Sequence, residues 1–238
     1  MEWFQDWFDT KYYHILYQDR NDEEAQFFMR NLTSYLNLKK GSKLLDLPCG
    51  KGRHSIYLNS LGFNVTGADL SKNSIKHAKY FENDTLNFEV HDMREPFKTK
   101  FDAILNLFTS FGYFDQDKMN IEVLKNLKNG LSKDGVLVID FMNVNHVKKH
   151  LIEEEIILKN EVEFHINRSI ENGFIKKDIR FTTNNIEHHH QEYVRFLSLD
   201  TFKRYIEDAN LKLKHTFGDY NLNSFNIENS NRLILVLE

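Results

Sequence analysis

Asp46-Leu47-Pro48-Cys49-Gly50-Lys51-Gly52-Arg53 is the stretch of this chain whose residue types and spacing most suggest chemistry. An apolar run, Lys43–Leu47, leads into it, and a helical pattern, Arg53–Leu61, leads out. A buried strand, a glycine turn and a helix in that order put a ligand beyond the strand's C-terminal end, against the backbone N–H groups that open the helix. Gly50 and Gly52 carry no side chain, which leaves backbone bare to that ligand. Half of the chain's ten glycines lie between Gly41 and Gly67. The Walker phosphate loop needs Ser or Thr after Gly-Lys, and here Gly52 follows Lys51. A dinucleotide fingerprint needs a third glycine where Ser55 stands. Glycines that serve only strand–helix packing remain the plain alternative.

Two further strand ends carry carboxylates. Phe63–Asp69 ends in an acid that can accept both hydroxyls of a ribose. Leu86–Asp92 ends in an acid that can accept from an exocyclic amine, with Met93 beside it to cover a purine face. A lone Asp at a strand end is usually a turn or cap residue. Three consecutive strand ends so equipped point to one nucleoside-containing ligand.

The elements behind these residues alternate. Strand patterns at Lys43–Leu47, Phe63–Asp69, Leu86–Asp92, Phe101–Phe108 and Gly135–Phe141 are separated by helical patterns at Arg53–Leu61, Lys72–Phe81 and Asp117–Leu131, which predicts βαβ units and a mostly parallel sheet. The rhythm breaks over 155–198. Val162, Phe164, Ile166 and Ile170 alternate with polar residues, Asn172-Gly173 is a hairpin signal, and Ile175, Ile179 and Phe181 alternate again, followed by a strand over about 188–197. A small antiparallel sheet is predicted there. A helix at Asp200–Ala209 and strands near Leu211–Phe217 and Arg232–Leu237 follow. Trp3, Phe4, Trp7 and Phe8 fall at helical spacing, and Asn21-Asp22-Glu23-Glu24 is a capped helix start.

With these residues in view, the chain resembles the class I S-adenosylmethionine (SAM)-dependent methyltransferases. Asp46 to Gly52 matches their D/E-x-G-x-G-x-G motif, with Pro48 in place of the first glycine. The match is good over roughly 40–142 and looser over 199–238. The resemblance implies an α/β, Rossmann-like fold: a mostly parallel seven-stranded sheet with helices on both faces, plus the inserted antiparallel lobe. The domains it implies are a helical lid segment at 1–40, a SAM-binding core at 41–150 and 199–238, and the lobe at 155–198. The cofactor implied is SAM. Asp69 would hold the ribose, Asp92 and Met93 the adenine, and Gly50 and Gly52 would lie under the adenosyl group. Arg53 would pair with the SAM carboxylate, Asn106 and Leu107 would flank the methionine part, and Asp46 and Leu70 complete the cofactor-binding set. Tyr13 and Tyr17, with His14 and Arg20 beside them, would fold over SAM as the lid. The loop Thr109–Phe114 is similar to that of small-molecule methyltransferases.

The substrate side follows less directly. Tyr113, His188, His190 and Arg195 are the substrate candidates, and Tyr113, His188 and His190 the catalytic ones. On a strand His188 and His190 share one face, while His189, Tyr193 and Arg195 share the other. A metal bound by His188, His190 and Glu192, a substrate-facing histidine and a plain polar face are the competing readings; no metal is expected. The only cysteine, Cys49, lies in the glycine loop, which argues against a cysteine nucleophile and excludes an intramolecular disulfide. Asn106-Leu107-Phe108-Thr109 stands where N/D-P-P-Y would mark methylation of planar amines.

Composition sets the outer limits. The 238 residues are 41% hydrophobic and 28% charged, enough for a core. Lys and Arg number 31 against 35 Asp and Glu, a net charge of −4, which argues against a nucleic-acid partner. No apolar run of spanning length and no signal-like start are visible, so a cytoplasmic setting without membrane is expected. Taken together, a small-molecule methyltransferase is expected. RNA or protein methylation and non-catalytic SAM binding are the alternatives, and NAD-dependent redox chemistry is disfavoured by the incomplete fingerprint. A homodimer is the alternative use of the antiparallel sheet.

Overall fold

A computed structural model describes residues 3–19 and 21–238; Arg20, one of the lid residues named above, lies outside them. Two short helices open the chain, α1 (Trp3–Trp7) and α2 (Lys11–Leu16). In α3 (Asp22–Tyr35) the Asn21 side chain accepts from the Glu24 N–H, and Asp22, Glu23 and Glu24 meet the positive end of the helix dipole. Its Ala25, Phe28, Met29 and Leu32 are buried.

The core continues with β1 (Lys43–Asp46), α4 (Arg53–Ser60), β2 (Asn64–Asp69), α5 (Lys72–Ala78), β3 (Leu86–Val90), β4 (Phe101–Asn106), α6 (Asp117–Gly130) and β5 (Leu131–Met142). It closes with α8 (Leu199–Asp208), β10 (Leu213–Phe217) and β11 (Arg232–Leu237). The seven strands lie in the order β10-β11-β5-β4-β1-β2-β3. β11 runs antiparallel to both neighbours, and the β3-β2-β1-β4-β5 pairs are parallel. This is the Rossmann-like class that the alternation predicts. The centres of three strands, Leu44-Leu45 of β1, Ala103-Ile104-Leu105 of β4 and Val136-Leu137-Val138-Ile139 of β5, are continuously apolar because helices cover both sheet faces. On one side Val123, Leu124 and Leu127 of α6 and Phe202, Tyr205 and Ile206 of α8 pack on Leu45, Ile104 and Ile139. On the other, Phe28, Met29 and Leu32 of α3, Leu58 of α4 and Ile75 of α5 pack on Leu44, Ala103 and Val138. Strand order reverses between β1 and β4, and that crevice is where such sheets bind ligands.

Helix α7 (Val144–Lys149), capped by Asn143, leads to the second sheet; its six residues were too few to register as a periodic pattern. Strands β6 (Glu154–Lys159), β7 (Val162–Glu171), β8 (Phe174–Thr183) and β9 (Ile186–Arg195) pair antiparallel in chain order. Asn172 and Gly173 take left-handed φ of 52° and 78° at the β7–β8 hairpin, as the turn signal predicts. One face of this sheet, with Val162, Phe164, Ile166, Ile179 and Phe181, packs on Trp7, Tyr12 and Leu16 of the N-terminal helices. The lobe is thus the platform that carries α1 and α2. Among the described residues no helix is long and apolar enough to cross a membrane.

Candidate active site

The glycine loop assigns different work to its two glycines. Gly50 has φ +55°, donates its N–H to Asp69 Oδ2 at 2.7 Å, and a Cβ added there would meet nothing within 4 Å. Its backbone therefore lies bare to the cavity. Gly52 has φ +84°, and a Cβ there would stand 2.6 Å from the Phe88 ring. It is absent from the cavity lining. The sequence reading gives both glycines to the ligand; in the structure Gly52 instead lets α4 start flush against β3.

Asp46, at the end of β1, is 2% exposed, and Ser55 Oγ donates to its Oδ2 at 2.6 Å. Burial, opposed by that hydrogen bond and reinforced by nearby Asp69, pushes its carboxyl up to about 7. Burial also pushes the Cys49 thiol up, which removes it as a nucleophile. At the end of β2, Asp69 accepts from Gly50 N and, at 2.8 Å, from Ser71 N. Burial raises its carboxyl against the pull of these two donors. Asp92 lies just beyond β3. Burial works to raise it, but the hydrogen bonds and charge of Arg94, 2.6 Å away, outweigh that and hold it below the usual range.

These three carboxylates line one cavity of about 730 Å³, with Leu70 and Met93 between them. Arg53 and Leu107 line it too. Arg53 also pairs with Asp22 at the start of α3. Asn106 does not line it: fully buried, its Nδ2 donates to Leu47 O at 2.9 Å and Ser110 O at 3.3 Å, tying the glycine loop to the loop after β4. Opposite the sheet, Phe4, Phe8, Tyr13, His14 and Tyr17 from α1, α2 and the turn after them form the other wall. Tyr17 OH donates to Glu192 of β9 at 2.8 Å and accepts from Lys177 of β8 at 2.5 Å. Trp7 Nε1 donates to the same Glu192 at 2.7 Å. That carboxylate fastens the helical wall to its platform.

Tyr113 lines the cavity, its hydroxyl donating to Thr109 O at 3.0 Å. Phe108 joins it there, against His54 at a ring distance of 4.5 Å. Phe108 and Thr109 both adopt left-handed φ, 58° and 60°. For non-glycine residues this costs about 1–2 kcal/mol each. Asp140, fully buried, offsets it: its carboxylate accepts from Phe108 N at 2.8 Å and its carbonyl from Thr109 N at 2.9 Å. Arg232 binds the same carboxylate at 2.8 Å and Thr109 Oγ1 at 2.9 Å. Sequence reasoning missed Phe108, His54, Asp140 and Arg232. Asp140 and Arg232 are 92 positions apart, and only the β5–β11 pairing joins them.

The antiparallel lobe places its candidates elsewhere. His188 and His190 do share a face, as alternation predicts, but neither lines the cavity. His188 stacks on Phe181 at 4.7 Å and contacts Thr183 Oγ1 at 3.0 Å. His190 stacks on Trp7 at 4.4 Å, and burial, with His188 and His189 nearby, lowers its pKa. Helices α1 and α2 stand between these rings and the cavity. Arg195 pairs with Asp117, and its N–H donates to Gly112 O at 2.8 Å. It too is outside the lining and reaches the site only by bracing the loop that carries Tyr113.

A family described as "Methyltransferase domain" matches residues 18–216, most of the chain. The chain belongs to this family. The putative methyltransferase YqeM of Bacillus subtilis is 35% identical over 108 residues, 44% of each protein. The glycine/sarcosine N-methyltransferase of Halorhodospira halochloris is 29% identical over 145 residues, 57% of this chain and 52% of that enzyme. The chain spans about half the length of the curated relatives it matches. In fold it superimposes on a SAM-dependent methyltransferase of Clostridium acetobutylicum with a TM-score of 0.78 at 18% identity, covering 95% of each chain. SAM is the methyl donor named for that Clostridium acetobutylicum protein. The residues present fit that cofactor: bare backbone at Gly50, carboxylates at three adjoining strand ends, and a cavity in the size range of small-molecule sites.

Proposed function

We propose that this methyltransferase transfers the methyl group of SAM to a small-molecule acceptor enclosed beneath α1 and α2. The observation that carries this reading is the shared cavity: the Asp46, Asp69 and Asp92 strand ends form one wall and the aromatic residues of the N-terminal helices the other. Asp69 with the Gly50 backbone would hold the ribose, Asp92 and Met93 the adenine, and Asp46 with Arg53 the amino-acid end. When bound, SAM supplies a methyl group already activated by its sulfonium. The protein's share is therefore alignment and exclusion of water. Phe4, Phe8, Tyr13, Tyr17, Phe108 and Tyr113 are large, mostly apolar and fixed by packing, which suits both tasks. Tyr113 and His54 are the polar groups best placed along the lining to meet an acceptor. The roof formed by α1 and α2 favours a small acceptor over RNA or a protein segment. The small substrates named for the glycine/sarcosine relative agree with this reading.

Calorimetric titration with S-adenosylhomocysteine (SAH), then SAH formation across amine, hydroxyl, thiol and carbon acceptors, tests it. Saturable SAH binding with turnover on one small acceptor is expected. Binding of NADH in place of SAH, or turnover on RNA or protein alone, overturns it.

A further inference from the structure

We propose that a second copy of this chain pairs along β6, joining two four-stranded sheets into one antiparallel sheet of eight. Strand β6 is an edge of its sheet. Arg168 N donates to Glu153 O at 2.7 Å, so ladder alternation turns the backbone groups of Glu154, Ile156 and Leu158 away from β7. Among the described residues no backbone hydrogen bond outside the sheet reaches them. Natural edge strands are normally blunted by proline, a bulge or an inward-pointing charge. The residues Glu154-Glu155-Ile156-Ile157-Leu158-Lys159 have no proline, the β6–β7 register runs without a bulge, and the charges on the inward face, Glu155 and Lys159, are already paired within the chain with Arg168 and Asp19. On the face away from α2, Ile156 and Leu158 are 63% and 68% exposed. The opposite edge differs: β9 gives its Arg195 N–H to Gly112 O, so the loop after β4 covers its end.

The β6 sequence is complementary to itself. A two-fold axis normal to the sheet pairs residues of the same face, so it must pass through a residue. Centred on Ile157, it sets Ile156 against the partner's Leu158, Ile157 against the partner's Ile157, and Glu155 against the partner's Lys159. The exposed apolar pair is covered, and opposite charges meet on the other face. Glu155 already pairs with Arg168 and Lys159 with Asp19, so the added contact extends two ion pairs into a chain of alternating charge. Centred on Ile156, the axis would set Glu154 against the partner's Leu158 and Glu155 against the partner's Ile157, charge against hydrocarbon. The geometry therefore selects the Ile157 register. It also sets the turn after α2 beside the interface, because Gln18 hydrogen-bonds Asn160 at the β6–β7 turn.

The test is mass in solution by light scattering and sedimentation, with three variants of the full chain. Wild type should run at twice the 28.4 kDa chain mass. Ile156→Lys and Leu158→Lys alter exposed side chains, so each should keep the wild-type circular dichroism, melting curve and SAH binding while dissociating to monomer. Ile157→Cys should oxidise to a covalent dimer on a non-reducing gel, since native Cys49 is buried and Cα atoms in such a facing pair lie within disulfide reach. A monomeric wild type, or a dimer that survives both lysine substitutions, overturns the proposal. So does a covalent dimer formed by Ile156→Cys and not by Ile157→Cys. None of these outcomes depends on the acceptor, so they stand apart from the methyl-transfer reading.

Discussion

Gly52→Ala should damage folding while Gly50→Ala damages ligand binding, although the two glycines sit two positions apart in one motif. At Gly52 an added Cβ would stand 2.6 Å from Cε1 and Cζ of Phe88 and 3.2 Å from Ala78 Cβ, at φ +84°. The left-handed conformation costs an alanine about 1–2 kcal/mol. Forcing a methyl into that packed contact adds about 1–3 kcal/mol. Reduced freedom of the unfolded chain returns about 0.4–1 kcal/mol. The net loss is about 1–4.6 kcal/mol, which in a domain of this size lowers Tm by roughly 2–18 °C. At Gly50, φ is +55° and nothing lies within 4 Å, so the net loss is about 1 kcal/mol or less. Its methyl, however, projects where a ligand would meet the backbone, and SAH affinity should fall by about tenfold or more, the equivalent of roughly 1.4 kcal/mol. Scanning calorimetry and isothermal titration on both variants read the two effects separately. If Gly52→Ala melts within about 2 °C of wild type, the packing argument fails. If Gly50→Ala binds SAH as wild type does, the ligand does not approach the backbone there.

The other expectations concern the carboxylates and the wall of the cavity. Asp69→Ala should weaken SAH binding by about 2–4 kcal/mol, because charge-assisted acceptors for the ligand are lost and the Gly50 and Ser71 N–H groups lose their partner; near-wild-type affinity by calorimetry removes the ribose assignment. Asp92→Ala should cost less, since Arg94 already occupies both carboxylate oxygens, and it should relax discrimination against an inosine analogue of the cofactor. Asp46 titrates at about 7 when folded, against roughly 3.9 when unfolded. The folded state binds the extra proton between those values, so this group's contribution to stability declines as pH rises from about 4 through about 7; Asp46→Asn should remove that component from the pH dependence of Tm. A cationic amino group binds the ionised form, so SAH affinity should fall as pH drops below about 7, with the dependence flattened in Asp46→Asn. Glu192→Ala removes the carboxylate that accepts from the Trp7 indole N–H and the Tyr17 hydroxyl, a loss of about 1–3 kcal/mol; faster SAH dissociation by stopped flow should accompany the lower Tm if α1 and α2 act as a lid.

Much of the fold was legible because the signals are local. Strands β1, β4 and β5 announce themselves as apolar runs since both of their faces are covered, and the Asn172-Gly173 hairpin follows from φ preferences of two adjacent residues. The carboxylates at positions 46, 69 and 92 were legible for a related reason. In a parallel sheet consecutive strands end on the same side, so residues at strand ends converge whatever the loops between them do. The face shared by His188 and His190 was equally readable from strand alternation.

What that face looks upon was not readable. Alternation sorts side chains into two sets but does not say whether the neighbour is solvent, substrate or another element. Here the neighbours of His190 and His188 are Trp7 and Tyr12, more than 170 positions away in the chain. The same limit hid the different duties of Gly50 and Gly52, which depend on where the Phe88 ring lands. It hid the Asp140–Arg232 clamp on the Phe108–Thr109 turn as well. The sequence by itself determined the sheet, the glycine turn and the row of acids at its mouth, because strand period, turn chemistry and parallel connectivity act over a few residues at a time. Only the tertiary structure decided which side chains face the cavity, because that depends on how α1, α2 and the antiparallel sheet dock against the core, a packing outcome set by contacts between residues far apart in the chain.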